Sequence, residues 1–437
     1  MRSSKLHGPV TALLVAFVLA ALSLSFASFA VPLPIYLEVA QGLAAGRGVI
    51  TNYPPFGYSL FLACAIRVAG LDGVFFAQAL LYVATVMLAY FLIASVTPDR
   101  RFALIGSIAV AIHPQLLLNI KRITDSNLDV PALLAVTLLM PATLRSRSVV
   151  IAIWCGLILG YMAEVRSNFA LLAMGFALVL LWRRQFAEFG ALVGVAVAMV
   201  IALSISIMPT LQFHLRGYGG YGAYTFACGN NPTSLNSLMD QENCETDRFG
   251  NFIKGQLNIP SGLPSEHPIY EWSQTHSGDF YGVAFAFIRQ HPVTFVELIG
   301  VKTFTFFRPD FRRLNLSSLA QGWLMAAIQI VLALPFPLWV ITRVVLRNKV
   351  GWMNGLATIP IAAIYVVPFI LASADPRYRL PLDVLMIADI FASAAIAAGY
   401  ESQAFGRRLR TKRGRASSLS SGRGVESSGA ASGWSGA

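Results

Sequence analysis

Apolar runs of about twenty residues, separated by short polar stretches, recur along most of the chain. Runs of that length with little internal charge predict membrane-crossing helices, since about 20 residues cover a hydrocarbon core about 30 Å thick. Their polar boundaries place the spans near residues 9–31, 74–96, 103–118, 130–144, 149–163, 168–182, 189–208, 319–342, 352–373 and 381–399. The apolar run after Tyr53 is short and opens on Pro54, Pro55 and Gly57. It predicts a juxtamembrane helix on the outer face, preceded by a second short helix from Ile35 to Ala45. The expected fold is therefore an all-α integral membrane protein with about ten transmembrane helices and external juxtamembrane helices.

Basic clusters orient these spans. Arg2/Lys5, Arg100/Arg101, Arg145/Arg147, Arg183/Arg184, Arg343/Arg347/Lys349 and the tail from Arg407 are assigned to the cytoplasm, which puts both termini inside. The external segments are then 32–70, 119–129, 164–167, 209–318 and 374–380. Residues 1–400 form the membrane domain, and 209–318 form one long external, or periplasmic, loop with room for recognition. The Arg-, Ser- and Gly-rich tail 401–437 is too poor in apolar residues to fold and is expected to lie disordered against the anionic cytoplasmic leaflet. The first run is read as a retained span in a plasma (inner) membrane protein, with a signal peptide ending near "ASFA" as the alternative.

Composition agrees with this placement. A content that is 56% hydrophobic and 12% charged, with mean hydropathy +0.63, excludes a soluble protein. The net charge of +12 does not indicate nucleic-acid binding, because the Lys and Arg residues sit between apolar runs and in the tail. Cys64 and Cys155 lie in apolar stretches and read as small buried hydrophobes. Cys228 and Cys244 share the long loop, where a disulfide is open to them if that loop meets an oxidising compartment. No Cys/His spacing predicts a metal site, and a divalent metal requirement is left open.

With the topology drawn, the charged residues of the apolar region gather at the outer ends of the spans: Glu38, Lys121, Arg122, Asp125, Asp129, Glu164, Arg166, Arg377 and Arg379. Charge there is costly unless paired, hydrated or functional. In "ASADPRYRLPLD", flanking prolines favour extended backbone, which sends Arg377 and Arg379 to one side and Tyr378 to the other. Beside the N-terminus of the last span, two guanidiniums would form a phosphate clamp, and binding of lipid headgroups is the alternative. In "NIKRITDSNLDVP", helical spacing would align Lys121, Asp125 and Asp129. Asp129 reads as a cap of a helix starting at Pro131, and Asp125 as an ion-pair partner or a general base. Arg166 follows in "AEVRSN", with Glu164 as a candidate partner. His113, before Pro114, reads as packing. The aromatic residues of "KTFTFFRPDFRR" read as an interfacial belt.

These stretches resemble the GT-C type of membrane glycosyltransferases, in the bacterial branch related to protein mannosyltransferases and to the aminoarabinose transferase of lipid A. The resemblance rests on "YLEVAQGLAAGRG" with "YPPFGYSLFLA", on "KRITDSNLDVPALLAVTLLM", on "GLILGYMAEVRSNFALL", and on "AFIRQHPVTFVELIGVKTFTFFRPD" with "PRYRLPLDVLMIA". It implies an enzyme that takes a sugar from a polyprenyl-phosphate donor and passes it, with inversion, to a lipid, glycan or protein acceptor at the outer face of the membrane. It makes Arg377, Arg379 and Arg166 candidate phosphate contacts, with Lys121, Arg122 and Tyr378 beside them. The family places an Asp just before the Tyr of the first loop. Here Pro32, Leu33, Pro34 and Ile35 stand there, and Glu38, past Tyr36, is turned by about 200° on a helix. Asp125 and Glu38 are thus the candidate bases. A transporter or flippase of lipid-linked sugars and a non-catalytic relative are the alternatives.

Overall fold

The computed structural model describes residues 4–25, 34–47, 56–97, 99–207, 222–234, 247–259, 268–307, 331–346, 358–372 and 376–399. The tail 401–437, the span segment 319–330 and Cys244 lie outside them. Helix α1 runs over Ser4–Ser25, α2 over Pro34–Ala44, α3 over Phe56–Ala94, α4 over Arg100–Ala111, α5 over Pro114–Asn119, α6 over Ser126–Ser146, α7 over Val149–Val165, α8 over Asn168–Trp182 and α9 over Phe186–Ile207. There follow α10 (222–229), α11 (Asp247–Leu257), α12 (Pro268–Thr275), α13 (Ser277–Gln290), α14 (Pro292–Phe307), α15 (Pro335–Val345), α16 (Thr358–Leu371) and α17 (Leu380–Gly399). No strand occurs among the described residues.

Local chemistry sets the breaks. Asp99 caps α4 by accepting from the Arg101 N–H at 3.0 Å, and Ser148 accepts from the Ile151 N–H at the start of α7. The expected span 103–118 is divided into α4 and α5 by His113–Pro114, because His113 is extended and Pro114 opens the next helix. Helix α3 is broken at Ala69 (φ −148°, ψ 25°) and Gly70 (φ 65°, ψ −156°), between the expected juxtamembrane helix and the span that follows it.

Among the described residues, five helices are long and apolar enough to cross a membrane: His7–Ser25, Phe56–Ala94, Ser126–Ser146, Phe186–Ile205 and Leu380–Gly399. Helices α7, α8, α15 and α16 are apolar but shorter. The expected count of ten full-length spans is therefore not reproduced among the described residues.

One apolar core joins α1, α3, α4, α6, α7, α8, α16 and α17. Helix α7 lies tight on α9 because Gly156 and Gly160 present no side chain there. A Cβ at either glycine would stand 2.7 Å from the carbonyl oxygen of Leu192 or Ala196, respectively. This is the small-xxx-small packing that brings helix backbones together in lipid, where the hydrophobic effect between helices is absent. A second, smaller core gathers residues of α10–α13, including Tyr224, Cys228, Ile253, Ile269 and Phe280. Cys228 is disulfide-bonded, whereas Cys64 and Cys155 are free.

Charge is not confined to one end of the bundle, contrary to expectation. Asp389, nine residues beyond the start of α17, accepts two bonds from Arg343, Nε at 2.8 Å and Nη2 at 2.6 Å, and a third from Trp339 Nε1 at 2.7 Å. Arg343 also donates to Thr358 Oγ1 at 2.8 Å. Arg343, one of the residues expected to mark the cytoplasmic side, is buried as the partner of this aspartate. A buried carboxylate inside a span needs such a complement.

Candidate functional site

The start of α3, the loop 120–125, the start of α6, the α7–α8 turn and the α16–α17 connection meet at one end of the bundle. Gly57 sets the first contact. A Cβ there would fall 2.6 Å from the Glu164 carbonyl carbon and 2.8 Å from the Val165 nitrogen, so only glycine lets α3 touch the end of α7 this closely. Tyr161 donates to the Gly57 carbonyl at 2.9 Å across the same contact. The next residue, Tyr58, donates to Gln78 Oε1 at 2.7 Å and accepts from the Thr124 N–H at 3.0 Å. The Gly-Tyr pair of the first-loop motif therefore positions the loop that carries Asp125.

Residues 120–125 do not continue the helix. Lys121 and Asp125 consequently lack the expected helical alignment, and α6 begins at Ser126 with Pro131 inside it. The Asn127 side chain accounts for the earlier start, since its amide donates to the carbonyls of Asn119 and Arg122, both at 3.0 Å, and ties the loop to the first turn. Asp125 takes the cap position, and Asp129 lies one turn on, in the first turn of the helix. Asp129 is thus neither at a cap nor near a helix start at Pro131.

Arg166 closes this site. Its Nη2 lies 2.6 Å from Asp125 Oδ2, and its Nη1 forms an ion pair with Asp129 and donates to Tyr365 Oη at 3.2 Å. The guanidinium carbon sits 4.2 Å from the centre of the Tyr378 ring, which stacks on Phe369. Burial works against the charge, and the carboxylates of Asp125 and Asp129 outweigh it, so the guanidinium stays protonated. Tyr36 donates to Asp125 Oδ2 at 3.2 Å, and Thr124 Oγ1 donates to Oδ1 at 3.3 Å. Asn168 fixes the other wall by donating to the Tyr365 carbonyl at 3.3 Å.

Glu38 is exposed, two residues from a Tyr36 that faces Asp125, so the helical turn carries it away from this cluster. Lys121 and Arg122 are half-buried on the loop. Residues Pro376–Arg379 form a 3₁₀ turn, and Leu380, expected to be extended, is already helical. The alternation of sides expected of an extended segment therefore does not apply to this turn. Arg379 is buried: Nε donates to Asp383 Oδ1 at 2.8 Å, and its other nitrogens reach the carbonyls of Phe307 and Leu332. It stitches the turn to α14 and the segment before α15. Backbone placement is all that is described for Arg377.

Tyr365 is a site residue that sequence reasoning missed. Asp129 stands in four-residue register with Asp125, a signal for a shared partner, but reads from the sequence as a helix cap rather than as a partner of Arg166. Tyr365, inside an apolar span nearly two hundred residues from Arg166, offered none. Among the described residues, no group of three or more His, Cys, Asp and Glu side chains is arranged to hold a metal ion.

Residues 52–207 match the family model described as dolichyl-phosphate-mannose-protein mannosyltransferase. The matched segment contains Gly57, Tyr58, Asp125, Asp129 and Arg166, and it supports a membrane glycosyltransferase of the GT-C type. No curated protein matches the chain.

Proposed function

We propose that this GT-C type glycosyltransferase takes a glycosyl group from a polyprenyl-phosphate sugar and passes it to a hydroxyl of a lipid, glycan or protein, at the outer face of the plasma membrane. The observation that carries the reading is the buried Arg166 guanidinium, held against Tyr378 with Asp125 at its edge, inside the segment that matches the family. A cation is what a phosphate leaving group requires, and a carboxylate next to it is what the attacking hydroxyl requires.

In this mechanism the acceptor oxygen bonds to the anomeric carbon from the face opposite the phosphate. The carbon–oxygen bond to phosphate breaks with inversion, and its electron pair leaves on the polyprenyl phosphate. Asp125 accepts the hydroxyl proton. Arg166 meets the phosphoryl oxygens, with Lys121, Arg122 and Arg377 as further cations and the N-terminus of α17 adding its positive dipole end. Arg379, with its donors spent on Asp383 and two carbonyls, holds the turn. Glu38 has no part in proton transfer. The disulfide at Cys228 supports an external position for the region around α10.

The test is transfer by the full chain in liposomes supplied with polyprenyl-phosphate-linked hexoses and pentoses. Asp125→Asn is expected to lower product by about 10²–10⁴-fold while the protein stays monodisperse, and Arg166→Gln to lower it at least as far, with some loss of stability because two buried carboxylates lose their cation. Product formation by Asp125→Asn at the wild-type rate refutes the assignment of the base, and absence of transfer from every donor refutes the reading.

A further inference from the structure

The two edges of the Arg166 guanidinium are held differently. The Nη1 edge faces Asp129 and donates to Tyr365, and both of these side chains are fully buried. The Nη2 edge meets Asp125 at 2.6 Å; neither carboxylate makes an aligned hydrogen bond to the guanidinium, so among the described residues it is the bond to Tyr365, together with the deeper burial of Asp129, that sets the Nη1 edge apart. Asp125 is also the more exposed of the two acids and is already served by Tyr36 and Thr124. Stacking on Tyr378 keeps the plane of the guanidinium while leaving its edges free to exchange partners.

We infer that Asp129 is a positioning residue that anchors Arg166 by one edge, so that an arriving phosphoryl group displaces Asp125 from the other edge and thereby releases the base only when donor is bound. The inference rests on the function proposed above. In the resting site Asp125 is paired with a cation and is a weak base. Once a phosphodiester takes the Nη2 edge, Asp125 loses that pairing and gains an anionic neighbour, and both changes raise its affinity for a proton. The hydroxyl proton then has somewhere to go at the moment when a leaving group is present. Without donor, Arg166 keeps Asp125 occupied, which guards against futile activation of water. Asp129 and Tyr365 prevent Arg166 from simply following Asp125.

Farnesyl methyl phosphate is a suitable probe, because a phosphodiester carries one fixed negative charge and does not titrate near neutrality. The full chain in lipid nanodiscs is titrated with it calorimetrically at about pH 5.5 in two buffers of different ionisation enthalpy, close to the range where carboxylates exchange protons. Wild type is expected to take up protons on binding, and Asp125→Asn to bind without uptake. Asp129→Asn is expected to bind about tenfold more weakly with reduced uptake, as expected when roughly one charge-assisted contact is lost. Tyr365→Phe, which removes the other anchor, shifts both readouts in the same direction and serves if Asp129→Asn does not fold. Wild-type binding without proton uptake overturns the inference and leaves the proposed function standing. So does wild-type behaviour in both anchor variants. Absence of binding by wild type overturns both.

Discussion

Arg166 Nη2 and Asp125 Oδ2 are 2.6 Å apart across a buried contact between the α7–α8 turn and the cap of α6, forty-one positions apart in the chain. The contact ties the candidate base to the candidate phosphate ligand, and it separates the two carboxylates that the first and second loops offer. Asp125→Asn keeps the shape of the side chain and its contacts with Tyr36 and Thr124, yet removes the base. Turnover is expected to fall by about 10²–10⁴-fold, the usual contribution of a general base, with little change in donor KM. Glu38→Gln, on the exposed side of α2, is expected to stay within about twofold of wild-type turnover and within about 0.5 kcal/mol in stability. Initial rates on the same donor compare the pair directly. A larger loss in the Glu38 variant moves the base to the first loop.

Gly57→Ala tests whether the approach of α3 to α7 sets the site. The added methyl would overlap the Glu164 and Val165 backbone, so the helices must part just before Arg166. Overpacking of this kind costs about 1–3 kcal/mol. Displacement of a positioned group by about 1 Å can cost about 10²-fold in rate, so activity is expected to fall more steeply than stability. Thermal unfolding in detergent and the transfer rate, measured on one preparation, separate the two effects.

How much of this was legible in the sequence depended on the range of the interaction. Apolar run length made the all-helical membrane fold plain, whereas the break at His113–Pro114 fell inside an expected span, because run length alone does not register a proline that opens a new helix. Asp125 and Arg166 were visible as candidates because charge is rare at the ends of such runs. Their pairing was not visible, since Lys121 and Glu164 are the nearer neighbours in sequence and local spacing favours near partners. The 3₁₀ turn at Pro376–Arg379 overrode the extended preference of residues before proline, and in the turn Arg379 reaches Asp383 and two carbonyls distant in sequence. The Arg343–Asp389 pair was not legible, because its members lie 46 positions apart and no local spacing joins them.

Lys302 predicts a pH dependence. Its ammonium lies buried on α14, donating to Asn230 Oδ1 at 2.9 Å and to the Leu371 carbonyl at 3.3 Å, and burial pushes its pKa down to about 7 from 10.5. Below pH 7 the group is charged in folded and unfolded chains alike, so the full cost of burying the charge is present. Between pH 7 and 10.5 the unfolded chain holds the proton that the folded chain has shed, so stability rises with pH across that window. Lys302→Met is expected to flatten this rise. Denaturation midpoints of both proteins between about pH 6.5 and 9.5 decide the matter, and parallel curves would exclude Lys302 as the source.

The Arg343–Asp389 pair allows a sharper separation of what holds the span helices together. Asp389 receives Arg343 through two nitrogens and Trp339 through a third, and Arg343 also reaches Thr358, so one carboxylate joins α15, α16 and α17. Removing one partner strands a buried charge. Asp389→Leu is therefore expected to cost about 3–5 kcal/mol, as broken buried pairs do. Replacing both, Arg343→Met with Asp389→Leu, removes the stranded charge and returns most of the loss, because apolar side chains suit this core at no desolvation cost. Transfer activity should follow stability in both variants, since Asp389 lies nine residues along α17 from its start while Arg166 meets Tyr378 just before that start. Unfolding midpoints for the two single variants and the double variant give the coupling between the residues. A double variant as unstable as the sum of the singles would mean that the pair stabilises independently of charge compensation. A double variant that is stable but inactive would assign this pair a role in the reaction cycle instead.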